Sequence, residues 1–477
     1  MSENNNTSRR KTLSRRDMLR LTALGAGGAL LNACAGSQPQ TIIQTVVVEK
    51  EVPKEVEKVI EKVVEIEVTR EPTTYEPVGD VIFWGHDQHP LDFAAEGFGQ
   101  RYPAVNWISP HPADRDVKLQ ASLAAQSDCP DLYWMEASQV NDLSCVGALL
   151  DITDHVKPVA EQYHPLKLAE ATQPKDGKIY GWPGDISVSG WYYRYDQLEE
   201  LGYGDADFDN MTWDDFYKMS SDIASKGKYT FVFPGQSWTA LYMFTLHQVG
   251  GSTTTEDGLT ITVNSPEGVR AMEIVKGLYD SGGGLDVAWW SPAYWAALQE
   301  GTLIGDFAAA WAKGFWEAQI KTPEQSAGRW RIAKFPGGPD IKHRTGVWGG
   351  ATLVSLTCSQ NKENAVAYMQ YALGSLEGAA LAGTWGIIPA YRPYLESQLF
   401  LAGRSHIYGD WPFNEFWASQ EPELSQTFFR RAAFDPINTA IGEKMPAIMR
   451  GEMSVEQGME EIVALAQPDA DRVACKA

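Results

Sequence analysis

Four stretches set a tryptophan beside groups that can hydrogen-bond or bend tightly: Trp84 with His86 and Asp87, Trp134 with Glu136, Trp182 near Asp185, and Trp348 before Gly349-Gly350. Trp238 stands one helical turn before Tyr242, and Trp385 precedes Gly386. Indole rings offer large apolar area at little entropic cost, while carboxylates and imidazoles supply hydrogen-bond partners. The combination suits a polyhydroxylated ligand, a sugar, whose hydroxyls need partners and whose flat C–H face packs on a ring. Hydrolysis of such a ligand would need two carboxylates roughly 5 to 9.5 Å apart. Asp87, Glu136 and Asp185 are the candidates, but nothing in their spacing demands it. His86 and His89 read as loop hydrogen-bonders, and no H-E-x-x-H occurs, so neither metal nor cofactor is expected. The pair Tyr192-Tyr193 evokes an iron or anion binder, yet neighbours on a strand face opposite ways. Trp213 and Trp289 read as structural.

Alternating strands and helices must position these groups. Val81-Ile82-Phe83-Trp84 is a strand leading into a polar loop; 93–102 reads as helix, 105–108 as strand, 117–126 as helix and 130–135 as strand. That rhythm predicts a largely parallel sheet covered on both faces. In such sheets ligands bind at the carboxyl ends of strands, here 84–87 and 134–136. The aromatic run Gly190-Trp191-Tyr192-Tyr193-Arg194 suits a long strand. Thr212-Trp213-Asp214-Asp215 is a capping box, Asn264-Ser265-Pro266-Glu267 opens a helix with proline in its first turn, and Ser454 to Gln457 repeats the capping logic.

The 477 residues carry a formal charge of -22. The part before Cys34 is itself basic, so the remainder is more acidic still, which argues against nucleic acid or anionic lipid as partner. Ser14-Arg15-Arg16-Asp17 leads into an apolar, glycine-rich run ending Leu31-Asn32-Ala33-Cys34. This reads as an export signal over 1–33, because the run is shorter than the ~20 residues a membrane span requires. It resembles a twin-arginine signal joined to a lipobox, a resemblance that makes Cys34 the lipidated first residue of the mature chain. Arg9-Arg10 is a second arginine pair, farther from the apolar run. Residues 34–78 form an extended or coiled tether: Val52, Val56, Val59, Val63 and Ile66 keep heptad spacing, but Pro53 limits any helix. Of the remaining cysteines, Cys129 and Cys145 lie close enough in sequence to bridge, with buried free thiols the alternative; Cys475 sits in a polar tail.

The order of the elements resembles extracellular solute-binding protein family 1, the sugar-binding components of ABC importers. The stretches that carry this are Tyr102-Pro103-Ala104-Val105, Pro130-Asp131, Gly147 to Thr153, Lys178 to Pro183, Thr212 to Phe216, Gly250-Gly251 before Val263 to Glu267, Gly349-Gly350, Asn361 to Ala365, and Gly386 to Ala390. The resemblance implies an α/β, two-lobe periplasmic-binding-protein-like fold of type II, with mixed sheets flanked by helices and a hinge. Lobe one would be 79–188 plus 340–388, lobe two 189–339 plus 389–467, and 468–477 a tail; the hinge would lie near 187–191, 337–342 and Pro389. Gly301 to Trp311 resembles a family segment whose terminal tryptophan stacks on sugar, which nominates Trp311 with Trp316 as its rival. Another stacking aromatic of the sugar-binding relatives falls on Asn438 here, with Phe434 nearby. The resemblance further implies a carbohydrate ligand, ABC permease subunits as partners, a monomer anchored outside the cell membrane, and binding without catalysis. Secreted glycoside hydrolase, or binder of another small polar solute, is the alternative.

Overall fold

A computed structural model describes residues 75–86, 89–233, 235–431 and 433–472. Both arginine pairs, Cys34, the heptad-spaced valines, Asp87 and Cys475 lie outside the described residues. Among the described residues the strands are β1 (Gly79–Trp84), β2 (Val105–Ile108), β3 (Leu132–Glu136), β4 (Trp182–Pro183), β5 (Ser189–Arg194), β6 (Phe231–Phe233), β7 (Gly284–Asp286), β8 (Gly305–Ala309), β9 (Trp330–Ala333) and β10 (Ala351–Val354). They form a five-stranded sheet in the order β2-β1-β3-β10-β4, a three-stranded sheet β8-β5-β9 and a β6-β7 pair.

The first sheet grows from alternation. Val81 and Phe83 of β1 point into the core while Ile82 and Trp84 are partly exposed, and β1 pairs in parallel with both β2 and β3. The expectation of a largely parallel sheet needs correction, because β10 runs antiparallel to β3 and to β4. It arrives from far downstream, after the chain has built the second sheet, and wedges between β3 and β4 in the opposite sense. In the second sheet both pairings of β5 are antiparallel. The helix signals act as the local chemistry dictates: Thr212 and Asp215 cap each other reciprocally at the head of helix Trp213–Ser225, and Ser265 accepts from Gly268 N with Pro266 in the first turn of helix Pro266–Ser281.

The sheets belong to two lobes, and the chain passes between them in segments that hydrogen-bond to one another. Residues 184–188 join β4 to β5, and 334–350 join β9 to β10. Residues 384–391 run alongside the first: Ile186 N donates to Ile388 O (2.9 Å) and Ala390 N to Gly184 O (2.7 Å). A disulfide joins Cys129 to Cys358, 229 residues apart, with Cα atoms 5.9 Å from each other. Cys129 is therefore neither bonded to Cys145, the partner its spacing allows, nor left as a free thiol: the two bonded cysteines flank β3 and β10, which the sheet makes neighbours. No helix among the described residues is long and apolar enough to cross a membrane.

Candidate ligand site

A cavity of about 600 Å³ opens between the lobes. The first sheet delivers His86 past the end of β1, Trp134 and Glu136 at the end of β3, Asp185 after β4, and Trp348 to Gly350 ahead of β10. The second sheet's side supplies Trp290, Trp311 and Phe315, and later segments add Trp385, Arg430, Phe434, Asp435 and Asn438. Strand ends meet in the crevice as open α/β sheets require.

One side is aromatic. Trp311 follows β8 directly and heads helix Ala312–Gln319, so Phe315 lies one turn along on the same face. The Trp311 indole donates to Trp348 O at 2.8 Å, and its ring centre is 5.7 Å from that of Trp290. Phe315 lies 5.3 Å from Trp290 and 5.0 Å from Trp385, completing a run of touching rings. Trp290 holds φ at +65°, a left-handed conformation that costs a bulky residue on the order of 1–3 kcal/mol. Across the cavity, Trp134 packs edge-on against His89 at 4.9 Å. Gly184 makes room for it, since a Cβ there would meet the Trp134 ring at 2.4 Å and Ala351 O at 2.3 Å.

The other side is charged. Arg430 donates from Nε to Glu170 Oε1 (2.9 Å), from Nη1 to Glu136 Oε2 (3.2 Å) and from Nη2 to Gly350 O (2.7 Å). Lys167, fully buried, closes the network by donating to the other oxygen of Glu170. Burial alone would raise the Glu170 carboxyl, but the charges of Arg430 and Lys167 outweigh it and hold it below its ordinary value. Asp185 accepts from Ala351 N (2.8 Å) and from the Ser187 hydroxyl (2.7 Å); burial nevertheless pushes its carboxyl up. Loss of water likewise raises Glu136, against the pull of Arg430, and Asp435. Gly350 adopts φ +87°, and a Cβ there would stand 2.9 Å from both Lys167 Nζ and Ser187 Oγ, so the backbone can approach the network only as glycine. His86 accepts at Nε2 from Arg115 (3.2 Å), and burial, then the Arg115 charge, lowers it to about 4, leaving it neutral at pH 7 with its proton on Nδ1.

Of the residues singled out from sequence, His86, Trp134, Glu136, Asp185, Trp311, Trp348 and Trp385 line this cavity. Three others do not. Trp182 is 1% exposed and donates to the Tyr163 hydroxyl at 2.6 Å, because the two-residue β4 turns its ring toward the helices behind the sheet. Trp84 packs over the smaller core cluster around Tyr133 and Leu149. Trp238, on helix Gln236–Gln248, packs against Phe233 and Tyr279, and Tyr242 is wholly buried. Trp316, the rival of Trp311, is fully buried against Trp330 and Tyr192, about 100° round the helix from Phe315. Sequence reasoning missed Trp290, Phe315, Arg430 and Asp435. The arginine pair Arg430-Arg431 in so acidic a chain, four residues before Phe434 and Asp435, was the available signal.

Two lobes joined by crossing segments, with a wall-and-floor cavity between them, define the solute-binding class of fold. The chain belongs to the bacterial extracellular solute-binding protein family, whose profile matches residues 92–399. It is similar to a lactose-binding protein of Rhizobium radiobacter, 24% identical over 408 residues that make up 78% of this chain and 89% of the relative. Among solved structures it resembles the galacto-N-biose/lacto-N-biose I-binding protein of a Bifidobacterium longum ABC transporter in complex with lacto-N-biose, at TM-score 0.70 and 16% identity, covering 83% of this chain and 98% of that one. A B. animalis subsp. lactis transporter-associated binding protein in complex with β-1,6-galactobiose aligns at TM-score 0.67 and 22% identity, over 82% and 96% of the two chains.

Proposed function

We propose that this protein captures a neutral carbohydrate, a di- or oligosaccharide, between its lobes and delivers it to the permease of an ABC importer. The observation that carries the reading is the cavity's mixed lining: the rings of Trp134, Trp290, Trp311, Phe315, Trp348 and Trp385 for a sugar's C–H face, beside the carboxylates of Glu136, Asp185 and Asp435 for its hydroxyls. The names of the relatives point the same way. The lobes are assigned to 79–188 plus 340–388 and to 189–339 plus 389–467, in keeping with sheet membership. Closure of one on the other around ligand is then the functional motion. At the N-terminus, 1–33 serves as the export signal, Cys34 takes the lipid anchor, and 34–78 tethers a monomeric binding unit outside the membrane.

Glycoside hydrolysis is set aside on family grounds: the matched family is one of solute-binding proteins, and the similar curated relative is a lactose-binding protein. Titrating a panel of sugars while following tryptophan fluorescence tests the reading; new reducing ends on incubation with oligosaccharide would overturn the binding-only claim. Mass spectrometry of the mature N-terminus, expected to begin at a diacylated Cys34, tests the anchor.

A further inference from the structure

We infer that Asp306, outside the cavity, is the positioning residue that holds Trp290 in the aromatic wall. The inference rests on the reading of the cavity as the ligand site. Asp306 lies on β8 and is 1% exposed. Its Oδ2 accepts from the Trp289 indole at 2.8 Å and from the Tyr294 hydroxyl at 2.9 Å, while Oδ1 accepts from Phe307 N at 3.0 Å. One carboxylate oxygen therefore grips the residue just before Trp290 and the residue four after it. Between those anchors the chain must turn sharply: Trp290 takes φ +65°, and Ser291 caps helix Pro292–Glu300 by accepting from Tyr294 N at 3.2 Å.

A left-handed tryptophan persists only where its surroundings over-determine it. Here the two anchors do so, and the ring they fix stands 5.7 Å from Trp311 and 5.3 Å from Phe315. An amide could not substitute freely, because its NH2 would face an N–H or O–H donor at whichever oxygen it replaced. The carboxyl has neutral donors as its partners; Tyr294 faces it from the following helix, Tyr192 is its cross-strand neighbour on β5, and β6 contributes the Val232 backbone. Burial, opposed by the Trp289 and Tyr294 hydrogen bonds, pushes its carboxyl up to about 7. Protonation turns one oxygen into a donor and releases a partner, so the wall should loosen as pH falls through neutrality.

The test uses the full-length chain labelled with 5-fluorotryptophan, with the Trp290 fluorine signal assigned by its loss in Trp290→Phe. In unaltered protein that signal is expected to shift between about pH 8.5 and about pH 5.5, around the carboxyl's titration. In Asp306→Asn it is expected to move or broaden at all pH values and to lose the titration, while Trp107 and Trp182 of the other lobe stay put. A Trp290 signal indifferent to Asp306→Asn while Trp289 moves would make Asp306 a core hydrogen-bond acceptor only and overturn the inference; should Asp306→Asn fail to fold, Tyr294→Phe, which removes one of the two anchors, is expected to move the Trp290 signal, and no movement there would overturn it equally. With lactose as probe, Asp306→Asn is expected to lose about tenfold in affinity, the worth of one well-placed ring contact. Failure of unaltered protein to bind any sugar would count against the carbohydrate reading, and the fluorine signals, which need no ligand, would still decide the role of Asp306.

Discussion

The rings of Trp290, Trp311, Phe315 and Trp385 form one chain of contacts, backed at Trp290 by Trp289, Tyr294 and Trp295, and the Trp311 indole gives its one donor to the backbone of Trp348. Across the cavity, Lys167, Glu170, Glu136 and Arg430 are bound to one another by charge, and Arg430 reaches them from the loop ahead of helix Phe434–Met449, which packs with the second lobe. The wall is apolar and rich in area; the floor is held by charge, and Arg430, the cation that bridges its carboxylates, has donors on Nε, Nη1 and Nη2 engaged. Ligand affinity should therefore come chiefly from the wall, and closed-state stability from the floor. Each variant below should affect one far more than the other if that division is real.

The largest effects are expected on folding. Arg430→Met would strand buried Glu170 with Lys167 alone and should cost about 3–5 kcal/mol of stability in denaturant titration. Trp316→Ala, on the core side of the same helix as Phe315, should cost a similar ~3–5 kcal/mol and leave ligand affinity of the folded fraction intact. A loss of affinity without loss of stability there would mean the helix face has been misassigned.

Charge on the ligand comes next. Glu136, Asp185 and Asp435 face the cavity while Arg430 is spoken for, so converting a bound sugar to its acid should weaken binding by on the order of 1–4 kcal/mol, the Coulomb range at contact distance. Tighter binding of the acid, measured by calorimetry, would mean Arg430 leaves its partners for the ligand. Trp311→Ala should weaken neutral sugar by about 1–3 kcal/mol, the area of one ring, with little change in melting temperature.

The effect that is smallest near neutral pH, and grows with acidity, is a slope of stability with pH. His247 is fully buried, donates from Nδ1 to Thr345 O (3.1 Å) and accepts at Nε2 from Ser425 N (2.9 Å). Burial, then His343, lowers it to about 3 from 6.5. Its neutral form is thus favoured in the folded state; the unfolded chain takes up the proton first, and stability should fall as pH drops from about 6.5 toward 3 and be flat above. Thermal melts of His247→Gln should show a shallower acid slope.

Much of this arrangement is legible in the sequence. Apolar runs located β1, β2 and β3, and hydroxyl-acid spacing located the heads of helices Trp213–Ser225 and Val455–Ala470. The cavity's first-sheet residues followed from the rule that ligands meet strand ends. Trp182 misled because adjacency to a polar loop says nothing about which face a two-residue strand presents. Trp290 was missed because its left-handed backbone is imposed by Asp306, distant along the chain, and not by its neighbours. Cys129–Cys358 and the Arg430 network are long-range pairings that no local pattern encodes.

The most direct test of the central claim is calorimetric titration of the chain with neutral di- and trisaccharides, beginning with lactose, in parallel with Trp311→Ala. One-to-one binding of at least one such sugar, weakened in the variant, is the expected result. Binding of no sugar in the series, or binding unchanged by the loss of Trp311, would contradict it.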